Sequence, residues 1–303
     1  MSTRSPAGCT AGFSPRFDEK LADKTSFGLG GAAAAFAECR SVDEVRRTRE
    51  YARERGLAFY VLGRGTNLLV RDEGVAGVVV RLAGREFTRA RFDGTSVQAG
   101  AAIALPRLLG LAARRGLSGL APLTGIPGSL GGALRMNAGT ASGAIGDVVT
   151  EVTVLDASDA VRRLSREEAG FGYRTSALGE HVILGASLDL ARSSPEAVRG
   201  EMREYRERRR GQPTRGRCAG CVFRNPPGEA AGALIDRCGL KGERIGGAYV
   251  SRRHANYILA DGSATAGEVL TLIERVRERV LEKTGVKLEL EICVWPSHPR
   301  DGG

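Results

Sequence analysis

The stretch Leu123-Thr124-Gly125-Ile126-Pro127-Gly128-Ser129-Leu130-Gly131-Gly132-Ala133-Leu134-Arg135-Met136-Asn137-Ala138-Gly139 carries five glycines and one charge, at Arg135. It is apolar enough to lie inside the protein. A buried loop must satisfy its own backbone polar groups, and a bound polar cofactor is one way to do that. A tight structural crossover is the other. A second glycine loop lies upstream, at Leu62-Gly63-Arg64-Gly65-Thr66-Asn67-Leu68. It follows an apolar run at 59–62, and glycines after a strand let N–H groups converge on an anion such as a pyrophosphate. A hairpin turn is the simpler reading. The loop is not a Walker motif, because no Gly-Lys-Ser/Thr follows. Nor is it a dinucleotide fingerprint, since the third glycine and its helix are missing.

The chain around these loops has 303 residues, enough for about two domains. Hydrophobic residues make up 42% and charged residues 26%, which excludes global disorder. Glycine, at 42 residues, is about twice its usual share and lacks collagen's period. No apolar run reaches the ~18 residues of a membrane span. Residues 1–16 hold no apolar run of signal-peptide length. A cytoplasmic protein is expected. The net charge of +10 raises nucleic acid as a partner, but only 5 of the 45 basic residues are lysine, an Arg bias that looks compositional. The densest run (Arg199, Arg203, Arg206, Arg208, Arg209, Arg210) is interleaved with Glu201, Glu204 and Glu207, as on a solvated helix face. No nucleic-acid partner is expected.

Residues 1–19 read as a loose leader. Ser41 and Glu44 form a capping box opening a helix that runs to about Arg55, where Gly56 ends it. Strands at 59–62, 68–70 and 78–82 complete a β-α-β-type unit. Beyond Phe87, short strands such as 97–99 and 152–155 alternate with turns, interrupted by a helix over about 105–115. A charged helix at 195–210 serves as a linker. Helices at 229–238 and 263–283 follow, the second with Val269, Leu272, Ile273, Val276 and Val280 at helical spacing. Residues 287–294 alternate as a final strand.

Together the two loops resemble the flavin-binding half of UDP-N-acetylenolpyruvoylglucosamine reductases. Further matches follow in order: Gly172-Tyr173-Arg174-Thr175-Ser176, Gly220-Cys221-Val222-Phe223-Arg224-Asn225-Pro226, Val250-Ser251-Arg252-Arg253-His254-Ala255-Asn256-Tyr257 and Leu288-Glu289-Leu290-Glu291-Ile292. The resemblance covers about residues 20–295 and is closest to the family's short form. It implies an α+β fold: a two-subdomain FAD-binding module of the vanillyl-alcohol-oxidase type plus a C-terminal α+β substrate-binding domain. The expected divisions are 20–82, 83–192, 206–285 and a returning C-terminal segment at 286–303. A monomer is expected. The implied reaction is reduction of UDP-N-acetylglucosamine enolpyruvate to UDP-N-acetylmuramate in peptidoglycan precursor synthesis. NADPH reduces FAD, flavin N5 gives hydride to the methylene carbon, and a proton is then delivered to the adjacent carbon.

The resemblance also implies residue roles. Arg174 is the active-site arginine, able to grip a carboxylate and stabilise a developing enolate. Glu291 is the active-site acid, although Glu289 shares its strand face and is the alternative. Cys221 stands where the family has serine as proton donor. A thiol is the stronger acid, so proton delivery stays feasible, and it brings oxidation sensitivity, especially if Arg174 raises its thiolate fraction; an active but peroxide-inactivated enzyme is expected. Leu62, Gly63, Arg64, Gly65, Thr66, Asn67, Thr124, Gly125, Ile126, Pro127, Gly128, Ser129, Gly132, Asn137, Ala138 and Gly139 are expected at FAD. Tyr173, Arg209 and Asn225 are expected at the substrate. His254 and Asn256 are expected to be structural. Phe27-Gly28-Leu29-Gly30-Gly31 departs from the family where an arginine usually follows the first aromatic. Cys218-x-x-Cys221 also admits a redox pair or half a metal site, but a zinc site lacks further ligands, and no metal is expected. Two other readings remain: a different flavoprotein of this cofactor fold, or a non-catalytic relative.

Overall fold

The computed structural model describes residues 15–213 and 216–297. Residues 1–14 of the expected leader and 298–303 of the expected tail lie outside the described residues. The rest of that leader is ordered: β1 (Arg16–Lys20) pairs antiparallel with β2 (Ala32–Cys39). Helix α1 (Val42–Glu54) starts at Ser41, whose Oγ accepts the Glu44 N–H. Glu44 reaches back to the Arg40 N–H rather than to that of Ser41, one residue short of a full capping box. Then come β3 (Ala58–Val61), β4 (Leu68–Val70) and β5 (Val75–Leu82). The sheet order is β1-β2-β5-β3, with β5 parallel to both β2 and β3. β2 and β3 flank β5 and run parallel to each other, so the chain between them must cross over, and α1 is that crossover.

The second sheet is antiparallel throughout. It follows α2 (Gly84–Thr88) and contains β6 (Ala90–Asp93) and β7 (Ser96–Gly100). After these come α3 (Leu105–Arg114), β8 (Leu117–Ser118), α4 (Leu130–Arg135), β9 (Gly139–Thr140) and β10 (Gly143–Ala144). Strands β11 (Val149–Leu155), β12 (Val161–Ser165), β13 (Val182–Asp189) and β14 (Ala191–Arg192) follow. The order is β12-β11-β13-β7-β6. Leu105, Leu108, Leu109 and Ala112 of α3 enter one core cluster that spans Ala35 to Leu190 and joins both sheets. The long glycine stretch is therefore not all loop. Its second half is α4, with Ser129 as N-cap.

Helix α5 (Pro195–Arg208) is more than a linker, since it packs beside α3 and β8. The C-terminal region holds α6 (Ala231–Arg237), β15 (Arg244–Ile245), β16 (Ala248–Val250), β17 (Ile258–Ala260), α7 (Ala266–Thr284) and β18 (Cys293–Trp295). The periodic apolar residues of α7 are all buried in a core that also takes Phe27, Leu29 and Leu69 from the first region. Two backbone N–H groups at the start of α7, of Ala266 and Gly267, are taken by the Asp72 carboxylate at 2.9 and 2.8 Å. The single strand expected at 287–294 is broken. Leu290 bridges Phe223, and three residues later β18 pairs in parallel with β4. The segment changes partners within five residues, so neither pairing grows long.

Candidate active site

The two glycine loops face each other across a cleft of about 2790 Å³. That exceeds the roughly 300–1,000 Å³ of a single small-ligand pocket. Thr66 Oγ1 donates to the Pro127 carbonyl at 3.3 Å, tying the loops together. Gly65 adopts φ +63°, and a Cβ there would lie 2.3 Å from the Lys24 carbonyl oxygen. Across the cleft, a Cβ on Gly63 would come 2.9 Å from Ser129 Oγ. Glycine thus leaves a trough walled by backbone. The Thr124 hydroxyl, buried behind it, has no partner. A glycine-walled trough with a spare hydroxyl behind it, opening into a cleft that also carries Arg64, Arg135 and Arg209, fits a dinucleotide flavin.

Of the expected cofactor residues, Leu62, Gly63, Arg64, Gly65, Thr66, Asn67, Gly125, Ile126, Pro127, Gly128, Ser129, Gly132, Ala138 and Gly139 line this cleft; Thr124 and Asn137 do not. Asn137 works from behind: its Nδ2 donates to the Gly172 carbonyl and its Oδ1 accepts the Gly146 N–H. Asn67 serves the other end. Its Nδ2 donates to the Glu291 carbonyl, and its own carbonyl accepts the Cys293 N–H at 2.9 Å.

A tight turn from Gly172 to Thr175 holds Arg174 at φ +54°, an uncommon conformation for a residue with a side chain. It directs the guanidinium inward. Nη1 donates to the Gly139 carbonyl at 3.0 Å, and Nε lies 2.9 Å from Glu291 Oε1. Nε makes no aligned hydrogen bond, so this contact is a close ion pair. Glu291 is placed by a short ladder, its N–H donating to the Val222 carbonyl while the Arg224 N–H donates to that of Glu289. Glu291 lines the cleft, whereas the Glu289 side chain is 62% exposed beside Arg224. Regular alternation would put both on one face; the Glu291 side chain, at 18% exposed, is the more buried of the two. Burial raises the Glu291 carboxyl above its ordinary value, against the pull of Arg174 and Arg224.

Cys221 opens the segment opposite Glu291. Asn256 fixes that segment by taking the Val222 N–H on its carbonyl and the Phe223 N–H on Oδ1, while Nδ2 donates to the Phe223 carbonyl. Asn256 is 3% exposed, in keeping with a structural role. Burial, then Glu291, pushes the Cys221 thiol up to about 11; the Tyr257 hydroxyl, Arg174 and Arg209 oppose the rise. This corrects the expectation of an activated thiolate: desolvation outweighs the arginines. Cys218 and Cys221 are both free thiols. Among the described residues no group of three or more His, Cys, Asp and Glu is arranged to hold a metal.

Arg209, just past α5, lines the cleft beside the Gly125 loop, together with Arg206 and Arg210. Asn225 also lines the cleft, and its Oδ1 accepts the Ala231 N–H at the start of α6. Tyr173 does not line it. The side chain is 58% exposed, and its hydroxyl accepts the Asn225 N–H at 3.3 Å. The sequence reading gave no role to Tyr257, Arg224 or Lys241. Tyr257 and Arg224 lie inside the quoted motifs, the one signal that could have drawn attention to them; Lys241, which lines the cleft, carries no such signal.

A two-layered flavin module with arginine, carboxylate and thiol converging on its cleft defines the class: an FAD-dependent oxidoreductase. A family model described as an FAD binding domain matches residues 33–165. A second, described as the UDP-N-acetylenolpyruvoylglucosamine reductase C-terminal domain, matches residues 212–295. UDP-N-acetylenolpyruvoylglucosamine reductase 2 of Symbiobacterium thermophilum is 44% identical, covering 93% of this chain and 92% of its own. The reductase of Moorella thermoacetica is 43% identical, covering 92% of each. The crystal structure of the Thermus caldophilus enzyme superposes with a TM-score of 0.82 at 42% identity, over 93% of this chain and 98% of that one. A solvent-stable cholesterol oxidase shares the fold more distantly, with a TM-score of 0.50 at 23% identity over 62% of this chain and 40% of its own. The chain belongs to the UDP-N-acetylenolpyruvoylglucosamine reductase family. No helix among the described residues is long and apolar enough to cross a membrane.

Proposed function

We propose that this protein reduces the enolpyruvyl ether of UDP-N-acetylglucosamine to UDP-N-acetylmuramate, with NADPH as the source of electrons. The supporting observation is the convergence of Arg174, Glu291 and Cys221 on the cleft between the two glycine loops. FAD, when bound, supplies hydride to the substrate's methylene carbon. Residues 62–67, 125–129, Gly132, Ala138 and Gly139 would hold it, with Thr124 and Asn137 supporting from behind.

Hydride addition moves the double-bond electrons toward the substrate carboxylate. Arg174 receives that carboxylate and stabilises the enolate. Glu291, its carboxyl raised by burial, gives up the guanidinium at small electrostatic cost when protonated. Cys221 then delivers the proton: the new C–H bond forms as the S–H bond breaks, and the enolate collapses to the carboxylate. Arg209 and Asn225 contact the sugar-nucleotide, with Tyr173 holding Asn225. The working units are 20–82, 83–192, 206–285 and 286–303. One chain supplies both loops and all three catalytic groups, so the reading takes the enzyme as a monomer, placed in the cytoplasm by its use of NADPH and a UDP-sugar.

The test is an anaerobic visible spectrum of the FAD-loaded protein. Bleaching by NADPH, followed by recovery on adding enolpyruvyl-UDP-N-acetylglucosamine, supports the reading. Bleaching with no recovery by that substrate overturns it.

A further inference from the structure

Cys221 has a second neighbour built into its own segment. Asn256 clamps Val222 and Phe223 through three hydrogen bonds, and the next residue is Tyr257. The same buried amide therefore sets the thiol and the phenol side by side. The tyrosine is fixed in its own right. Its N–H donates to the His254 carbonyl, its carbonyl accepts the Ser251 N–H, and its ring meets His254 edge-on at 5.0 Å between centroids. It is 6% exposed, yet it lines the cleft with Cys221, close enough that the phenol and the thiol act on each other's ionisation.

We propose that Tyr257 is the positioning residue for Cys221: its O–H donates to the sulfur and holds the thiolate left behind when the proton has gone to the substrate. This rests on the reading of Cys221 as proton donor. Breaking the S–H bond leaves a negative sulfur in a largely buried site, which is costly without a directed donor. The charged groups facing it are Glu291, which repels the thiolate, and Arg174 and Arg209, which attract it. Arg174 is already engaged by Glu291 and Gly139. Tyr257 adds a neutral donor that competes for neither the substrate carboxylate nor its diphosphate. Burial, together with nearby Cys221 and Cys218, keeps the phenol protonated well above its ordinary range, so it faces the thiolate as a donor.

Tyr257→Phe removes the hydroxyl and keeps the ring. In the FAD-loaded enzyme, iodoacetamide alkylation of Cys221 is followed against pH by fragment-ion quantification of the 218–224 peptide. We expect the alkylation rate at pH 8–9, where the enzyme is folded, to fall about tenfold or more as the thiolate fraction drops. Reoxidation of reduced flavin by the enolpyruvyl substrate is expected to slow about 10- to 100-fold, with NADPH bleaching at the wild-type rate. A wild-type alkylation rate at pH 8–9 and wild-type reoxidation in Tyr257→Phe overturn the proposal. Cys221→Ala separates the two readings. If it reoxidises at the wild-type rate, the donor assignment itself fails. If it is slow while Tyr257→Phe is unchanged, only the role of Tyr257 fails.

Discussion

The Asn67 side-chain amide donates a 3.0 Å hydrogen bond to the Glu291 carbonyl oxygen across 224 residues of sequence. A residue of the first glycine loop therefore sets the height of the carboxylate that pairs with Arg174. The glycine loop at 62–68 and the segment that carries Glu291 are one hydrogen-bonded unit. Neither can shift without moving the other.

Arg174 should matter to one half-reaction. Arg174→Ala removes the cation expected at the developing enolate, and loss of one such donor typically costs about 10²–10³ in turnover. We expect flavin reoxidation by the enolpyruvyl substrate to fall by that factor while NADPH still bleaches the flavin. Stopped-flow traces of the two steps check this; equal slowing of both would point to a damaged fold.

Cys221 should be slow toward peroxide at neutral pH. Peroxide attacks thiolate, and burial holds this thiol up to about 11. Inactivation should be slow at pH 7 and rise about tenfold per pH unit as the thiolate fraction grows. Folding follows the same linkage. An unfolded thiol ionises near 8.5, so the stability contribution is fully present below that pH and is lost as pH climbs toward about 11. Cys39, also raised to about 11 by burial, acts in the same direction. Urea midpoints flat from pH 7 to 8 and declining above pH 9 are expected; a midpoint rising above pH 9 contradicts the assignment.

Asp72 should behave as a helix cap supplied from a distant loop. Asp72→Ala removes the acceptor for the first two N–H groups of α7 and should cost about 1 kcal/mol in urea unfolding. Asp72→Asn, which keeps one acceptor oxygen, should recover part of that. No change in either variant would show that water replaces the cap freely.

Trp295, the single tryptophan, lines the cleft and packs on Tyr60 at 4.9 Å between ring centroids. Titrating FAD into apoprotein should quench its emission to saturation, and stripping the flavin should restore it. Unchanged emission at saturating FAD would move the cofactor to another part of the cleft.

Much of this was legible in the chain, for definite physical reasons. The α7 stripe declares itself through helical spacing, and α1 through Ser41. The glycine loops stand out because low side-chain content is rare inside a protein. Strand β2 escaped because its alanine run lacks both alternation and β-branching; it is held by neighbours on either side, a non-local cause. Glu291 could not be told from Glu289 by spacing, since the two share a strand face; only burial in the folded cleft separates them. Tyr257 was invisible for the same reason. Its significance lies in where Asn256 puts it, and no spacing along the chain encodes that.

The pairing of β18 with β4 is one stitch in a longer seam between the C-terminal region and the first sheet region. Asp72 caps α7, Asn67 holds the backbone at Glu291 and Cys293, and Phe27, Leu29 and Leu69 enter the C-terminal core. A seam sewn at separate points along the chain shares its load, so cutting one stitch leaves the others to keep the two regions in register.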